Sequence, residues 1–395
     1  MRWLNYNRQD QTEAAEHDRM LRKIDAWWYE FARNTERLDA LFRQADQWDL
    51  PGWMKRHLQS IHPDLMWEFG PGVKGAKHRL VITPENRPDL RPMVNDMIAK
   101  APRNSEWEYY PYRLAESVDA ALATVKGRTG VDVSDVTVAV SLGDANRINL
   151  VYRRDRLPED RELAFDAAFV ATESLLGEQA LDRWVGAIQV VDDLAPVEPG
   201  QRFLSLSRLK PTFVALVDGT RSQLPSLPWS AMFEDAEWAV LKLQPEEAGD
   251  YPDRSDLLTC VTCHPDLVAA TFADAPFYSE RFSRCSETFC YLKVDGADDA
   301  ASDFQDREDM EEAVRHALEA QNLGCLIGAG TGLRYSYVEL ALTNVERGVA
   351  AVARAMREGR VSKRSWVQFH DADLEGEWIG VYDDSPAPPR EEVER

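Results

Sequence analysis

The chain has 395 residues, 44% apolar and 29% charged, and its 46 Lys plus Arg against 68 Asp plus Glu give a formal net charge of -22. This length predicts two or three domains with real cores, and the acidic balance argues against partners built of phosphate or anionic lipid. Five cysteines in so long a chain make no disulfide framework, the start Met1–Asn7 lacks a secretory apolar stretch, and no segment holds eighteen consecutive apolar residues, so the expectation is a soluble protein of a reducing bacterial cytoplasm.

Residues 1–62 read as an N-terminal helical segment. Ten Lys/Arg balance ten Asp/Glu over residues 1–60, so the acidic excess lies further on. Within 12–45, Leu21, Ile24, Trp28, Phe31, Thr35, Leu38 and Phe42 follow alternating steps of three and four, a single helical stripe. The stripe has two outlets. The plainer is the chain's own body; the other is a homodimer seam through the 12–45 helix, for which three heptads is the lower limit. A second short helix follows Pro51 and uses Trp53, Met54, His57 and Leu58.

Residues 63–194 read as a first α+β lobe. Arg79–Thr83 is a strand, and Leu90, Met93, Val94, Met97 and Ile98 share one helical face with Pro88 near its start. Trp107–Tyr112 is an aromatic strand. Val136–Val140 and Ile148–Tyr152 flank Gly143-Asp144-Ala145-Asn146, a hairpin turn. A helix over 161–182 leads to a last strand, Val185–Val191. The acidic, proline-bearing stretch Asp192–Gly200 reads as a linker.

Residues 201–382 read as a second α+β lobe. Its first part is hard to read, with strands at Trp238–Leu243 and Leu257–Cys263 and a helix after Pro265. From 288 to 382 the order is clear: strand Phe289–Val294, a helix with Met310, Val314 and Leu318, strands Leu323–Ile327 and Leu333–Leu342, a helix capped by Asn344, then strands Trp366–Phe369 and Trp378–Tyr382. The fold class expected is therefore α+β: the N-terminal helical segment followed by two ferredoxin-like (split βαβ) lobes with mostly antiparallel sheets. Residues 383–395, rich in proline and charge, read as a disordered acidic tail.

Three motifs invite chemistry, and each has a plainer reading. Gly324, Gly328, Gly330 and Gly332 resemble a phosphate loop, but that chemistry needs a helix N-terminus behind the glycines; Arg334–Leu340 alternates as a strand, so a glycine-permitted hairpin is expected. Cys260, Cys263, His264, Cys285 and Cys290 come nearest to a zinc set, but strand geometry separates residues three apart, so they read as small buried side chains. Asp371, Asp373, Glu375 and Glu377, behind His370, have the oxygen spacing that opens a calcium loop; Tyr382 stands where a bidentate glutamate belongs, and an acidic hairpin loop is the plainer account. No metal, cofactor or nucleophile motif is expected.

Twelve tryptophans, an acidic body and a neutral helical front together predict a non-catalytic protein-interaction module of inhibitor, immunity or regulatory-adaptor type, meeting a partner with a basic surface. Its expected contact residues are Trp27, Trp28, Trp48 and Trp53 and the acidic loop Asp371, Asp373, Glu375 and Glu377. The competing expectations are a metal-assisted hydrolase, near Cys263–His264 or His370–Asp373, and a small-ligand-binding protein, with the site between the two lobes.

Overall fold

A computed structural model describes residues 2–153, 157–191, 202–232, 236–273, 275–296 and 302–390. The chain divides into one unit of residues 1–134 and 162–182 and a second of 135–161 and 183–395. It is α+β with open, mostly antiparallel sheets.

The first unit begins with helix α1 (Gln11–Phe42). Asp10 caps it, its carboxylate accepting from the N–H groups of Thr12 and Glu13. Helix α2 (Leu50–His57) is capped in the same way by Asp49. Strands β1 (Met66–Pro71), β2 (His78–Thr83) and β3 (Trp107–Tyr110) form a sheet in that order, antiparallel then parallel, with α3 (Arg91–Ala99) between β2 and β3. The unit also holds α4 (Val118–Thr129) and most of α5 (Arg161–Leu176) and α6 (Glu178–Trp184). A single helix over 161–182 is thus broken in two. Gly177 sits between the halves at φ 84°, a left-handed backbone that favours glycine, and a Cβ there would meet Ala115 N at 2.9 Å.

The α1 stripe is buried within its own unit. Ile24, Trp27, Trp28, Phe31 and Leu38 share one core with Trp53, Leu80, Ile82, Met93, Val94, Met97 and Trp107. Trp27 meets Trp53 at 5.2 Å between centroids, and Phe31 meets Trp107 edge-on at 4.9 Å. Each aromatic buried this way contributes about 1.5–3 kcal/mol, with roughly 0.5–1.5 kcal/mol more per ring pair. This corrects two expectations. A homodimer seam through 12–45 has no free stripe to use, because the sheet and α3 already occupy it. Trp27, Trp28 and Trp53 are core residues that no partner can reach, and the half-buried Trp48 packs on Trp53 under Arg37. Residues 1–62 share their core with β2 and β3 and do not stand apart.

In the second unit, β4 (Thr137–Leu142), β5 (Ile148–Arg153), β6 (Val185–Val191) and β7 (Phe203–Ser205) form a sheet in the order β6-β5-β4-β7. The strands expected to make one ferredoxin-like first lobe therefore fall into two sheets, β2 and β3 in one unit, beside a further strand β1, and β4–β6 in the other. Alternation marks a stretch as a strand but does not choose its neighbour. Helix α7 (Leu209–Gln223), which was not expected, packs on β4 and holds Pro211 in its first turn, where the ring is tolerated.

The same unit contains a seven-stranded antiparallel sheet. Its strands are β8 (Ala239–Lys242), β9 (Leu257–Thr262), β10 (Thr288–Asp295), β11 (Gly324–Gly332), β12 (Tyr335–Leu342), β13 (Ser365–Phe369) and β14 (Trp378–Gly380). Their spatial order is β14-β13-β10-β12-β11-β9-β8. Helix α8 (Pro265–Ala270) follows β9, and α9 (Arg307–Glu319) and α10 (Val345–Glu358) precede β11 and β13. The strand pleat sends alternate side chains to opposite faces. One face carries Cys290, Leu292, Val294, Val338, Leu340 and Leu342, buried against Met310, Val314 and Leu318 of α9 and Val349, Val352 and Met356 of α10. The other carries aromatic and polar residues, and it holds the site described below.

The expected linker Asp192–Gly200 lies outside the described residues, as does 391–395. In the described part of the expected tail, the buried Trp366 donates its indole N–H to Pro386 O at 2.6 Å, and Pro388 is buried. A buried indole N–H needs an acceptor, and the proline segment supplies one.

Candidate functional site

On the polar face of the seven-stranded sheet, the register places Gln368 of β13 and Glu339 of β12 on either side of Tyr291 of β10. These three side chains form one cross-strand row. Above it lies a cavity of about 680 Å³, walled by Asp253, Arg254 and Ser255 before β9, by Thr271, Phe272 and Phe277 after α8, and by the loop His370–Glu377 between β13 and β14.

Glu339 anchors the floor. Its carboxylate accepts from Arg254 Nη1 at 2.5 Å and from His370 Nε2 at 2.8 Å, and the three side chains are 1%, 4% and 4% exposed. Burial alone would raise the Glu339 pKa, but attraction to Arg254 and His370 and their hydrogen bonds outweigh it and hold the carboxyl at about 2. Burial, reinforced by Arg254, lowers His370 from its ordinary value, so the ring is neutral near pH 7. An ionised Glu339 accepting at Nε2 makes that nitrogen the N–H donor and leaves the lone pair on Nδ1. Tyr291 stacks on the imidazole at 5.0 Å. Arg254 lies 4.2 Å over Phe272 and gives a second hydrogen bond to Thr271 Oγ1.

A buried lysine fixes the adjoining wall. Lys293 Nζ donates to the carbonyls of Tyr251 and Asp253, at 2.5 and 2.7 Å, and sits 4.1 Å from the Tyr335 ring. Burial depresses its pKa to about 8. Asp256 accepts from the backbone N–H groups of Arg334 and Tyr335 and from the Tyr337 hydroxyl. The 250–256 loop is thereby pinned to the sheet from both ends, which pre-organises one side of the cavity.

The acidic loop lies where its sequence placed it, between two paired strands. Asp371, Glu375 and Glu377 line the cavity. Asp371 accepts from the N–H and hydroxyl of Ser279, and burial pushes it up to about 6. Asp373 instead pairs with Arg183.

The glycine run is strand β11, and strand β12 follows it directly. A Cβ on Gly330 would meet Leu257 Cδ1 at 2.5 Å, so this glycine serves the close approach of β9 and β11. Cys260 and Cys290 lie on strands separated by β11 and β12 and belong to the cores of opposite sheet faces. Burial raises the Cys263 thiol to about 11 and Cys260 to about 12, and Cys285 is half-buried. Among the described residues, no group of three or more His, Cys, Asp or Glu is placed to hold a metal ion.

His264 begins α8, its Nδ1 accepting from Leu267 N–H at 3.4 Å, and it opens on a second cavity of about 670 Å³ with Leu142, Leu216, Leu224, Trp229 and Phe282. Burial lowers its pKa to about 4. Above pH 6.5 the ring is neutral in both folded and unfolded chains. As pH falls from 6.5 to 4 the unfolded chain takes a proton that the folded chain refuses, so stability drops, by up to roughly 3 kcal/mol. His264→Asn keeps a capping acceptor and removes the titration. Urea unfolding at each pH should show this loss in the parent and not in the variant; parallel curves would refute it.

Arg254, Tyr291, Glu339 and Gln368 were not foreseen. Their signal was present in part: Glu339 stands at an inward position of an otherwise apolar strand, where a charge requires a partner. No helix among the described residues is long and apolar enough to cross a membrane. No protein-family profile, curated protein or solved structure matches the chain.

Proposed function

We propose that this chain is a non-catalytic protein-interaction module, of inhibitor, immunity or regulatory-adaptor type, and that it meets its partner at the polar cavity of the second unit. The observation that carries this reading is a fixed pocket with an acidic margin, formed by Asp253, Asp371, Glu375 and Glu377 beside the exposed ring of Phe272. An acidic margin steers and orients a basic partner surface. Trp27, Trp28 and Trp53 are buried, so most of that role passes to the acidic loop.

The test is affinity capture from native lysate with the full chain as bait, in parent form and as Ala273→Trp. Ala273 is exposed at the cavity wall, so the ring blocks the opening without disturbing a core. A stoichiometric partner held by the parent and lost from the variant is the expected result. Capture indifferent to the substitution would remove the cavity from this reading, and no partner at all would remove the reading.

A hydrolase is the second reading, favoured by the Glu339–His370 hydrogen bond, which orients a neutral imidazole as a general base requires. It would gain from a stoichiometric transition metal in protein purified without chelator. For the fold, we infer a ferredoxin-like unit at 288–382: the order β13-β10-β12-β11, with α9 and α10 on one face, supports it.

A further inference from the structure

The cavity of about 670 Å³ at His264 lies wholly within the second unit and shares no lining residue with the polar one. Helix α7 forms one side, presenting Ala215 and Gly219 one turn apart with Thr220 beside them; the rings of Trp229, His264 and Phe282 form the other. Among the described residues the wall contains no Asp, Glu, Lys or Arg, in a chain that is 29% charged. Gly219 has no packing reason to be glycine. Inside a helix this residue is destabilising relative to alanine, and the usual excuse is a neighbour too close for a Cβ. A Cβ on Gly219 would meet nothing within 4 Å beyond its own turn of helix, so the glycine serves only to keep the cavity open.

His264 supplies the directed polar group. Its Nδ1 accepts from Leu267 N–H, so in the neutral ring Nε2 carries the proton. Trp229 lies 4.6 Å from the imidazole between centroids and Phe282 meets it edge-on at 5.6 Å, which fixes the ring in place. The Nε2–H has no acceptor among the described residues, yet it is not one of the sealed interior atoms such as Trp27 Nε1, and it remains open to the cavity that the ring lines. The hydroxyl of Thr220 is in the same condition, on a residue only 8% exposed. An ion entering this wall would lose its water without meeting a counter-charge. A flat apolar body suits the aromatic rings, and the imidazole N–H calls for an oxygen acceptor at its edge.

We infer that this cavity binds a neutral aromatic small molecule bearing a carbonyl oxygen, its ring against Trp229 and Phe282 and its oxygen accepting from His264 Nε2–H. The site is independent of the protein partner proposed for the polar cavity, and either can fail without the other.

The test is equilibrium dialysis of the full chain against 2-acetylnaphthalene, 2-ethylnaphthalene and 2-naphthoate, which share one ring system and differ in the acceptor and the charge. The acetyl compound should saturate one site. The ethyl compound should bind about three- to ten-fold more weakly, the scale of one net hydrogen bond. The carboxylate should bind at least about ten-fold more weakly, because its charge must be desolvated. Gly219→Trp places a ring in the opening and improves helix propensity, so it should abolish binding with a melting temperature no lower than the parent's; Ala215→Trp, one turn away, should do the same and serves if the first variant is unstable. His264→Asn keeps the helix cap but is too short to offer its donor to the ligand, and it should make the acetyl and ethyl compounds bind equally. No binding of the acetyl compound, equal or tighter binding of the ethyl compound or of 2-naphthoate, binding that survives both tryptophan variants, or an acetyl preference retained by His264→Asn would each overturn the assignment.

Discussion

Glu339→Leu is expected to cost about 3–5 kcal/mol of folding stability, because it strands the buried Arg254 guanidinium without its counter-charge. The Glu339 carboxylate is the shared acceptor of two groups from distant parts of the chain, Arg254 at 2.5 Å and His370 at 2.8 Å. Removing it leaves a cation in a site too dry to solvate it. Arg254→Met combined with Glu339→Leu removes both charges and substitutes apolar volume, and buried ion pairs replaced in this way are often neutral or better. The double variant should therefore recover most of the loss, a coupling readable from urea midpoints in a double-mutant cycle. Additive losses would mean that the two side chains act independently and that the floor of the cavity is not built around this pair.

The same pair explains what could be read in the sequence and what could not. Features set by neighbours in the chain were legible. The three-and-four spacing from Leu21 to Phe42 fixed α1 and its buried side, and the alternation after Gly332 identified β11 and β12 as a hairpin with no phosphate-binding helix. The loop from Asp371 to Glu377 was correctly flanked by strands. The site floor was not legible, because Arg254 and Glu339 are 85 positions apart and His370 another 31 beyond, and it takes the pairing of β12 with β10 and of β10 with β13, together with that of β9 with β11 and β11 with β12, to bring that neighbourhood together. Partner choice among strands failed for the same reason. β2 and β3, like β4–β6, carry ordinary strand patterns, but nothing in alternation says that the two groups belong to different sheets. Tryptophan posed a different problem: a large aromatic serves cores and interfaces equally well, so abundance alone could not tell Trp27 from a surface anchor.

Trp27→Ala is the substitution that separates those two roles. As a core residue, 1% exposed and packed on Trp28, Phe31 and Trp53 at 6.0, 5.7 and 5.2 Å, it should cost about 3–5 kcal/mol when truncated, through lost burial and the cavity left behind. A surface anchor would change stability by no more than about 0.5 kcal/mol and act only on partner binding. Trp27→Phe sharpens the comparison. The Trp27 indole N–H has no hydrogen-bond partner among the described residues, so phenylalanine gives up ring volume but also removes an unsatisfied donor, and its loss should be well under half that of alanine. Trp48→Ala should fall between the core and surface values, since the ring is half-buried between Trp53 and Arg37. Urea unfolding of the three variants should rank them Trp27→Ala, then Trp48→Ala, with Trp27→Phe below the first. A Trp27→Ala protein as stable as its parent would return this residue to the surface and reopen the first unit as a docking face.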